Sequence, residues 1–323
     1  MSYLSLNTVL KEKFGQRVYR VTLNSGLSCP NIDGTRAKGG CYFCNDDYLL
    51  AHSWHKQQSI PDQLAYGAKY ITERHGATKY LAYFQNGTNT HADVKILRPL
   101  FFDALTFPGV VGLAISTRPD CLNDDVLDLL SELNEKTYLW IELGLQSAQD
   151  HVLEKINRAH SVDEFAVATQ KLAARKILNC AHVIIGMPDE TEEEILAGTD
   201  FVNALPIDGI KIHNMFVTKH TVLEKWYKEG KYVPLELADY VRLCVDYLER
   251  LRPDMIVHRL NAHGPERLTV APDWSVNKLA TINAIHAEIA RRETRQGKLY
   301  DLRRGPAYPS GTSCCAPTNP AHT

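Results

Sequence analysis

Three cysteines stand close together near the start of the chain, Cys29, Cys41 and Cys44, within the stretch CPNIDGTRAKGGCYFC. Cys41 and Cys44 have the C-x2-C spacing of a chelate, and Cys29 joins them across an eleven-residue loop. Gly34, Gly39 and Gly40 give that loop the freedom to fold back and bring the third sulfur near. Three thiolates suit two kinds of metal site. A cubane iron–sulfur cluster usually takes four, so three leave one iron open to a substrate or cofactor. A zinc ion takes three thiolates plus a histidine, for which His52 or His55 would serve. The spacing does not separate the two.

The elements around this loop must position it. The chain has 323 residues, of which 44% are hydrophobic and 23% charged, at a net charge of -2. Those values fit a folded protein with a large core. No apolar run approaches the roughly 18–20 residues a membrane helix needs, and the opening MSYLSLNTVLKEKFG has no apolar signal core. The expectation is a cytoplasmic protein without membrane contact. Eight cysteines in such a chain argue for metal ligation rather than a disulfide framework. Charge is uneven: residues 1–40 carry six Lys/Arg against two Asp/Glu, and residues 286–305 carry six against three. Basic ends of this kind can frame a phosphate backbone, or be ordinary solvated surface.

Strand-like runs alternate with helix-like segments. RVYRVTL, KYLAYF, VVGLAIS, TYLWIELGL, CAHVIIG and DGIKIHN read as strands. Helical patterns stand between them, among them TEEEILAGTDFVNAL with Thr191 and Glu194 spaced as a capping box. Six β units in this order predict an α/β fold with a parallel sheet and right-handed crossovers. They are too few for a closed eight-stranded barrel. The expectation is a partial (β/α)6 barrel over residues 1–220, a small C-terminal α/β appendage over 221–305, and a disordered tail over 306–323. MIVHRL, at 255–260, reads as one further strand in the appendage. Functional side chains belong at the C-terminal ends of the strands. The cysteine loop directly follows the first strand and so lies at that mouth. A structural zinc knuckle serves modules that lack a core, so a site in so large a unit favours iron and sulfur.

At this point the sequence resembles the radical S-adenosylmethionine (SAM) enzymes, and within them the bacterial elongator-protein-like group called the YhcC family. KFGQRVYRVTL, SCPNIDGT, GGCYFC, STRPDCL, WIELGLQSAQDHVLEKINRAH, HVIIGMPDET, DGIKIH and IVHRLNAHGPERLTVAPDWSVNK carry the likeness. It spans residues 10–300. The resemblance implies a [4Fe-4S] cluster on Cys29, Cys41 and Cys44, with the amine and carboxylate of SAM on the fourth iron. It implies one-electron cleavage of the sulfonium, a 5′-deoxyadenosyl radical, and a flavodoxin- or ferredoxin-type electron donor.

Carried over residue by residue, the likeness gives a set of cofactor contacts. Phe43 matches an aromatic position near the adenine. Asn86, Gly87 and Thr88 stand where many relatives have a Gly-Gly-Glu segment for the methionyl amine, and depart from that pattern. Ser116 and Arg118 end the third strand, where a guanidinium suits a carboxylate. Glu142 and Gln146 end the fourth, at ribose and carboxylate positions. Ile185 lies in the VIIGMP segment that cradles the adenine. Lys211 and His213 alternate with Ile210 and Ile212 and so share one face of the sixth strand. His258 and Arg259 are expected to border the site. Cys121, Cys180 and Cys244 read as core thiols, and Cys314 and Cys315 as a tail pair without assigned role. Relatives of the elongator type act on the wobble uridine of tRNA, so tRNA is the expected partner. A small-molecule or peptidyl substrate is the alternative within this chemistry. A zinc-stabilised nucleic-acid-binding protein without catalysis is the alternative outside it.

Overall fold

The structure, a computed structural model, describes residues 2–45 and 59–300. The two histidines weighed as zinc ligands, His52 and His55, lie outside the described residues, as do the expected tail over 306–323 and its Cys314 and Cys315.

The chain opens with a helix, α1 (Leu6–Phe14), capped by the Ser5 hydroxyl, which accepts from the Thr8 amide. Strands and helices then alternate: β1 (Tyr19–Leu23), α2 (Ile60–His75), β2 (Tyr80–Phe84), α3 (Val94–Leu105), β3 (Val110–Thr117), α4 (Asp124–Lys136) and β4 (Tyr138–Gln146). The pair α5 (Asp150–Lys155) and α6 (Val162–Ala174) leads to β5 (Leu178–Ile185), α7 (Glu192–Ala204) and β6 (Gly209–Asn214). Local sequence sets these boundaries. Asn123 caps α4 ahead of Asp124 and Asp125, whose charges favour a helix start. The box expected at Thr191 and Glu194 forms, and Ser161 with Glu164 makes a second.

The C-terminal segment holds β7 (Val217–Thr218), α8 (Val222–Lys228), α9 (Leu237–Arg250), β8 (Ile256–Arg259), β9 (Thr269–Ala271) and α10 (Lys278–Arg291). β8 lies against β6 and completes a seven-stranded sheet in the order β1-β2-β3-β4-β5-β6-β8, every neighbouring pair parallel. The further strand read in MIVHRL is therefore part of the sheet. β7 and β9 pair antiparallel in a separate ribbon.

The two faces of the sheet differ in what covers them. The outer face packs on the helices in one continuous apolar core that includes Leu23, Phe84, Phe101, Leu130 and Phe165. The inner face is curled around a second cluster. There α1 contributes Leu6 and Leu10, which meet Leu81 and Tyr83 of β2, Ala114 of β3, Trp140 of β4, Cys180 of β5 and Ile256 of β8. One short helix thus plugs the floor of a partial barrel. The start of the chain also lines the β8 edge, where the Val257 amide donates to the Leu4 carbonyl at 2.7 Å.

Close contact between α2 and β1 explains a glycine in mid-helix. A Cβ on Gly67 would stand 2.5 Å from Val21 Cγ1, and Val21 is a buried, β-branched strand residue with little room to turn. On helix propensity alone alanine at 67 would stabilise the chain. We predict instead that Gly67→Ala lowers stability by about 1–3 kcal/mol, as overpacking does, and that adding Val21→Ala recovers part of it. Urea unfolding measures both; a Gly67→Ala protein as stable as the parent would contradict this packing.

Candidate functional site

The loop after β1 is held from two sides. On one side, Gln63 of α2 takes both backbone groups of Asn24, its Oε1 accepting from the amide at 2.8 Å and its Nε2 donating to the carbonyl at 3.0 Å. Beyond this anchor the Cys29 carbonyl accepts from the amides of Ile32 and Asp33, and the Cys44 amide donates to the Cys41 carbonyl at 2.8 Å. The last contact puts Cys41 and Cys44 on one tight turn. Gly39 and Gly40 have φ of 82° and 71°, a region that favours glycine, and turn the chain just before Cys41.

On the other side the loop after α5 grips it. Asn31 donates from Nδ2 to the carbonyls of Asn157 (2.7 Å) and Arg158 (3.0 Å), and the same nitrogen lies 3.6 Å from Cys41 Sγ. Asn157 returns bonds to the carbonyls of Lys38 and Gly40. Arg158 is buried and its guanidinium has three uses. Nη1 lies 3.6 Å from Cys41 Sγ, Nη2 donates to the Gly144 carbonyl at 2.9 Å, and Nε donates to His160 Nε2 at 2.8 Å. With Nε2 accepting from Arg158, His160 is neutral and carries its proton on Nδ1, 3.1 Å from the Ser161 carbonyl; Nε2 also lies 2.9 Å from the Gly144 carbonyl oxygen. Burial, and then the Arg158 charge, push it down to about 3. Arg118, expected as a carboxylate clamp, is bidentate to Asp120 at 2.9 and 2.8 Å and donates to the Arg158 carbonyl at 2.9 Å. The charges of both Cys41 and Cys29 act on this guanidinium, so the two sulfurs border one cation.

These residues fit an anionic iron–sulfur group. The donor set is sulfur alone, and nitrogen donors and fixed guanidinium charges stand beside it to stabilise thiolates. Among the described residues, no three His, Cys, Asp or Glu side chains converge closely enough to hold a single metal ion.

Below the loop the lumen carries a layer of polar side chains. Pairing sets it: Ser116 stands opposite Glu142, and His182 opposite Lys211. Glu142 Oε2 accepts from Ser116 Oγ at 3.0 Å, from His182 Nε2 at 3.1 Å and from Lys211 Nζ. Lys211 Nζ also donates to the Tyr83 hydroxyl at 2.8 Å. Tyr83, Ser116, Glu142 and Lys211 are buried inside the barrel, and His182 is part-buried. Burial alone would raise the Glu142 carboxyl, but the Lys211 ammonium and then the histidines beside it hold it well below its usual range. Burial draws Lys211 down to about 8 against the pull of Glu142. His182 falls to about 4, by burial first and then the Lys211 charge. His213 is pushed well below its normal value by burial and by Arg259. Such a layer is costly unless every charge is paired.

The structure puts the residues singled out from the sequence in several different places. Ser116, Glu142, Lys211 and His213 meet in the lumen. Asn86, Gly87 and Thr88 form a turn at the end of β2 that docks on the residues just before Cys29. There the Thr88 amide donates to the Ser28 carbonyl at 3.2 Å, and a Cβ on Gly87 would stand 2.8 Å from the Leu27 carbonyl oxygen. Asn86 Nδ2 is buried without a partner. Gln146 and Ile185 border a crevice beyond β4 and β5 together with Ser147 and Glu190; burial raises Glu190 to about 7. Phe43 packs on the apolar cluster of Val152, Leu153, Ile156, Met187 and Met215. Cys180 and Cys244 are buried, and Cys121 is half-buried. Sequence reasoning missed Asn31, Arg158, His160, Tyr83 and His182. For Tyr83 and His182 the period-two rule that paired Lys211 with His213 would have served. For Arg158 only its place in the quoted WIELGLQSAQDHVLEKINRAH stretch offered a hint.

A parallel partial barrel with three thiols on the loop after its first strand defines a cofactor-dependent α/β enzyme. Comparison with known proteins gives the family. A model described as "Radical SAM superfamily" matches residues 32–202, and one described as "Radical_SAM C-terminal domain" matches 207–291. The chain is 42% identical to YtqA of Bacillus subtilis over 298 residues, 92% of each chain. It is 38% identical to YhcC of Escherichia coli K12 over 270 residues, 83% of this chain and 86% of that one. A tRNA uridine(34) acetyltransferase of Dehalococcoides mccartyi is 29% identical over 153 residues, 46% of this chain but only 33% of that protein. Among solved structures, an archaeal Elp3 from Methanocaldococcus infernus superposes with a TM-score of 0.67 at 19% identity, over 86% of this chain and 64% of the other. That likeness is one of fold. The chain belongs to the radical SAM superfamily, in its YhcC and elongator-like branch, and is an enzyme. Among the described residues, no helix is long and apolar enough to cross a membrane.

The lumen histidines carry a pH signature. His182 takes no proton in the folded protein until about pH 4, whereas the unfolded chain binds one below roughly 6.5. Its contribution to stability is therefore full above 6.5 and lost as pH falls toward 4. His182→Gln keeps a donor for Glu142 and removes the titration. Relative to the parent, its unfolding free energy is predicted to depend less on pH between 6.5 and 4, by about 1.4 kcal/mol per unit. Parallel pH dependences in urea unfolding would contradict a neutral His182.

Proposed function

We propose that the chain binds a [4Fe-4S] cluster through Cys29, Cys41 and Cys44 and uses it, with SAM, to start radical chemistry on the C5 side chain of a tRNA wobble uridine. The observation that carries the reading is the Cys41 sulfur, which is set at the mouth of the lumen between two nitrogen donors, Asn31 and Arg158. When bound, the cluster and SAM supply the one-electron cleavage of a carbon–sulfur bond.

The protein's own groups do the rest by position and charge. Asn31 and Arg158 orient the Cys41 thiolate, and Arg118 offsets charge from Cys29 and Cys41. Asn86 has an unpartnered amide donor beside this loop; Gln146, Glu190 and Ile185 border the crevice and Phe43 packs on the cluster of Met187 and Met215, and these residues suit the nucleoside part of SAM. Ser116, Glu142, Lys211 and His213 suit contacts deeper in the lumen, where the floor closed by α1 keeps water away from a reactive intermediate. A flavodoxin- or ferredoxin-type protein would deliver the electron, in the cytoplasm.

The tRNA part rests on the relatives. The similarity to a tRNA uridine(34) acetyltransferase covers 46% of this chain and a third of that protein, so no acetyl transfer is carried over. The second reading keeps the chemistry and replaces tRNA by a small molecule; the depth and polarity of the lumen favour it.

Anaerobically reconstituted protein is predicted to release 5′-deoxyadenosine from SAM in the presence of a low-potential reductant. Cys29→Ala, Cys41→Ala or Cys44→Ala each abolish it, as does removal of the iron by chelation. No 5′-deoxyadenosine from an iron-loaded parent would end the radical reading. Total tRNA from a deletion strain is predicted to lack, or accumulate a precursor of, one wobble-uridine modification. An unchanged nucleoside profile would remove tRNA and leave the small-molecule substrate.

A further inference from the structure

The sheet is open between its edge strands β1 and β8, and three cations gather at that seam. Arg20 is on β1. Its neighbours Val21 and Leu23 belong to the outer core, so alternation turns Arg20 inward. There its guanidinium lies 5.9 Å from the centre of the inward-facing Tyr83 ring. Arg259 is on β8, and an irregularity turns it inward too. Ile210 pairs with Val257, but the next residue of β6, Lys211, pairs with Arg259. His258 is thus an extra residue in the strand, a bulge that sends both His258 and Arg259 to the lumen side. Lys278 opens α10, a helix with no acidic residue in its first turn. It is exposed, and its amine is lowered by loss of surrounding water first, and then by the charges of Arg259 and Arg20.

Among the described residues Arg20, Arg259 and Lys278 have no carboxylate or hydrogen-bond partner for their side chains, and Arg20 Nη1 is buried without one. The carboxylate nearby, Glu142, is already taken by Lys211, His182 and Ser116. Two histidines back the same space. His258 is 8% exposed; its Nδ1 faces Glu142 Oε1 at 3.8 Å, beyond hydrogen-bond reach, while its Nε2 and His213 Nε2 have no hydrogen-bond partner. His258 is fixed edge-on to Trp140, ring centroids 4.5 Å apart, and a Cβ on Gly209 would stand 2.7 Å from its Nε2. A buried imidazole held so firmly with no hydrogen bond to its Nε2 is a poor device for stability. Unanswered guanidiniums are the usual partners of phosphate and carboxylate oxygens.

We propose that Arg20, Arg259 and Lys278, backed by His213 and His258, form an oxyanion subsite at the β1–β8 seam that holds a phosphate or carboxylate group of the substrate. The subsite rests on the reading of the lumen as the substrate chamber, and it adds a requirement: the substrate brings a negative charge to the side of the barrel opposite β4. A phosphate of a nucleotide and a carboxylate of a small molecule present the same oxygens, and direct binding tells them apart.

The test is calorimetric titration of the full-length, anaerobically reconstituted protein with sodium pyrophosphate and, separately, with sodium malonate at matched ionic strength. The parent is expected to bind one of them at least about tenfold more tightly than the Arg20→Gln/Arg259→Gln double variant, the loss that follows from removing charge-assisted hydrogen bonds. The anion bound more tightly names the chemistry. Arg20→Lys/Arg259→Lys should recover part of the affinity. SAM titrated into the same preparations should bind alike in all of them, since the cysteine loop is untouched. A parent that binds neither anion better than the Gln double variant overturns the subsite. If the double variant does not fold, Lys278→Gln, outside the barrel strands, decides: unchanged affinity for both anions overturns the proposal, and weakened affinity for the preferred one supports it. A parent that binds the anion but not SAM would count against the cofactor reading and leave the subsite standing.

Discussion

A guanidinium does not give up its proton inside a protein, and Arg158 carries one into the top of this barrel. Its three contacts join things that are far apart in sequence: the sulfur of Cys41, the carbonyl of Gly144 on β4, and the ring of His160. The approach is tight, since a Cβ on Gly144 would stand 2.4 Å from Arg158 Nη2. Everything around this residue is arranged so that its charge is needed where it sits. His160 is kept neutral and accepts. Arg118 and Asn31 hold the carbonyl of Arg158 itself, which fixes the backbone from which the side chain reaches. The cysteine loop has no regular secondary structure of its own, and takes its shape from this neighbour and from Asn157. A negative group built on the three thiols would complete the arrangement electrostatically, because it brings the charge that two buried guanidiniums favour.

The same logic runs down the lumen at a different scale. A closed apolar core would have been the cheaper filling for a barrel this size. Instead Leu6 and Leu10 plug only the floor, and the layer above is built from Tyr83, Ser116, Glu142, His182 and Lys211, whose polar atoms largely satisfy one another. Satisfaction ends toward the seam. There Arg20, His213, His258 and Arg259 stand with polar atoms unmatched, so the polar layer grades from a self-contained network at β4 and β5 to an open one at β1 and β8. A chamber that reacts with a bound molecule has need of both: a rigid wall, and a side that the molecule itself completes.

Much of this was legible in the sequence, and the limits have physical causes. The strand and helix order followed from periodicity and caps, because Asn123 and Thr191 act locally and short strands in βα units leave a clear pattern. The place of the cysteine loop followed from topology, since parallel strands put their C-terminal ends together. Lys211 and His213 were found to share a face because alternation is a property of one strand. Arg158 was not found, because its importance comes from a contact with a residue 117 positions earlier, which no local pattern encodes. Arg118 was read as a clamp for a carboxylate or as half of a salt bridge; the carboxylate it clamps is that of Asp120, two residues on. The inward turn of both His258 and Arg259 depends on a skipped pairing with β6, a feature that only the assembled sheet reveals. The family likeness reached the cluster chemistry directly and left the substrate open.

The central claim is that three protein sulfurs, and no more, hold the metal group, so that one corner is left for SAM. Electron paramagnetic resonance of the reduced, anaerobically reconstituted protein tests it most directly, with iron and zinc counted on the same sample. The account predicts about four irons per chain, and a cluster signal whose g values shift when SAM is added. A signal that SAM leaves unchanged, or a colourless protein with one zinc, would contradict it.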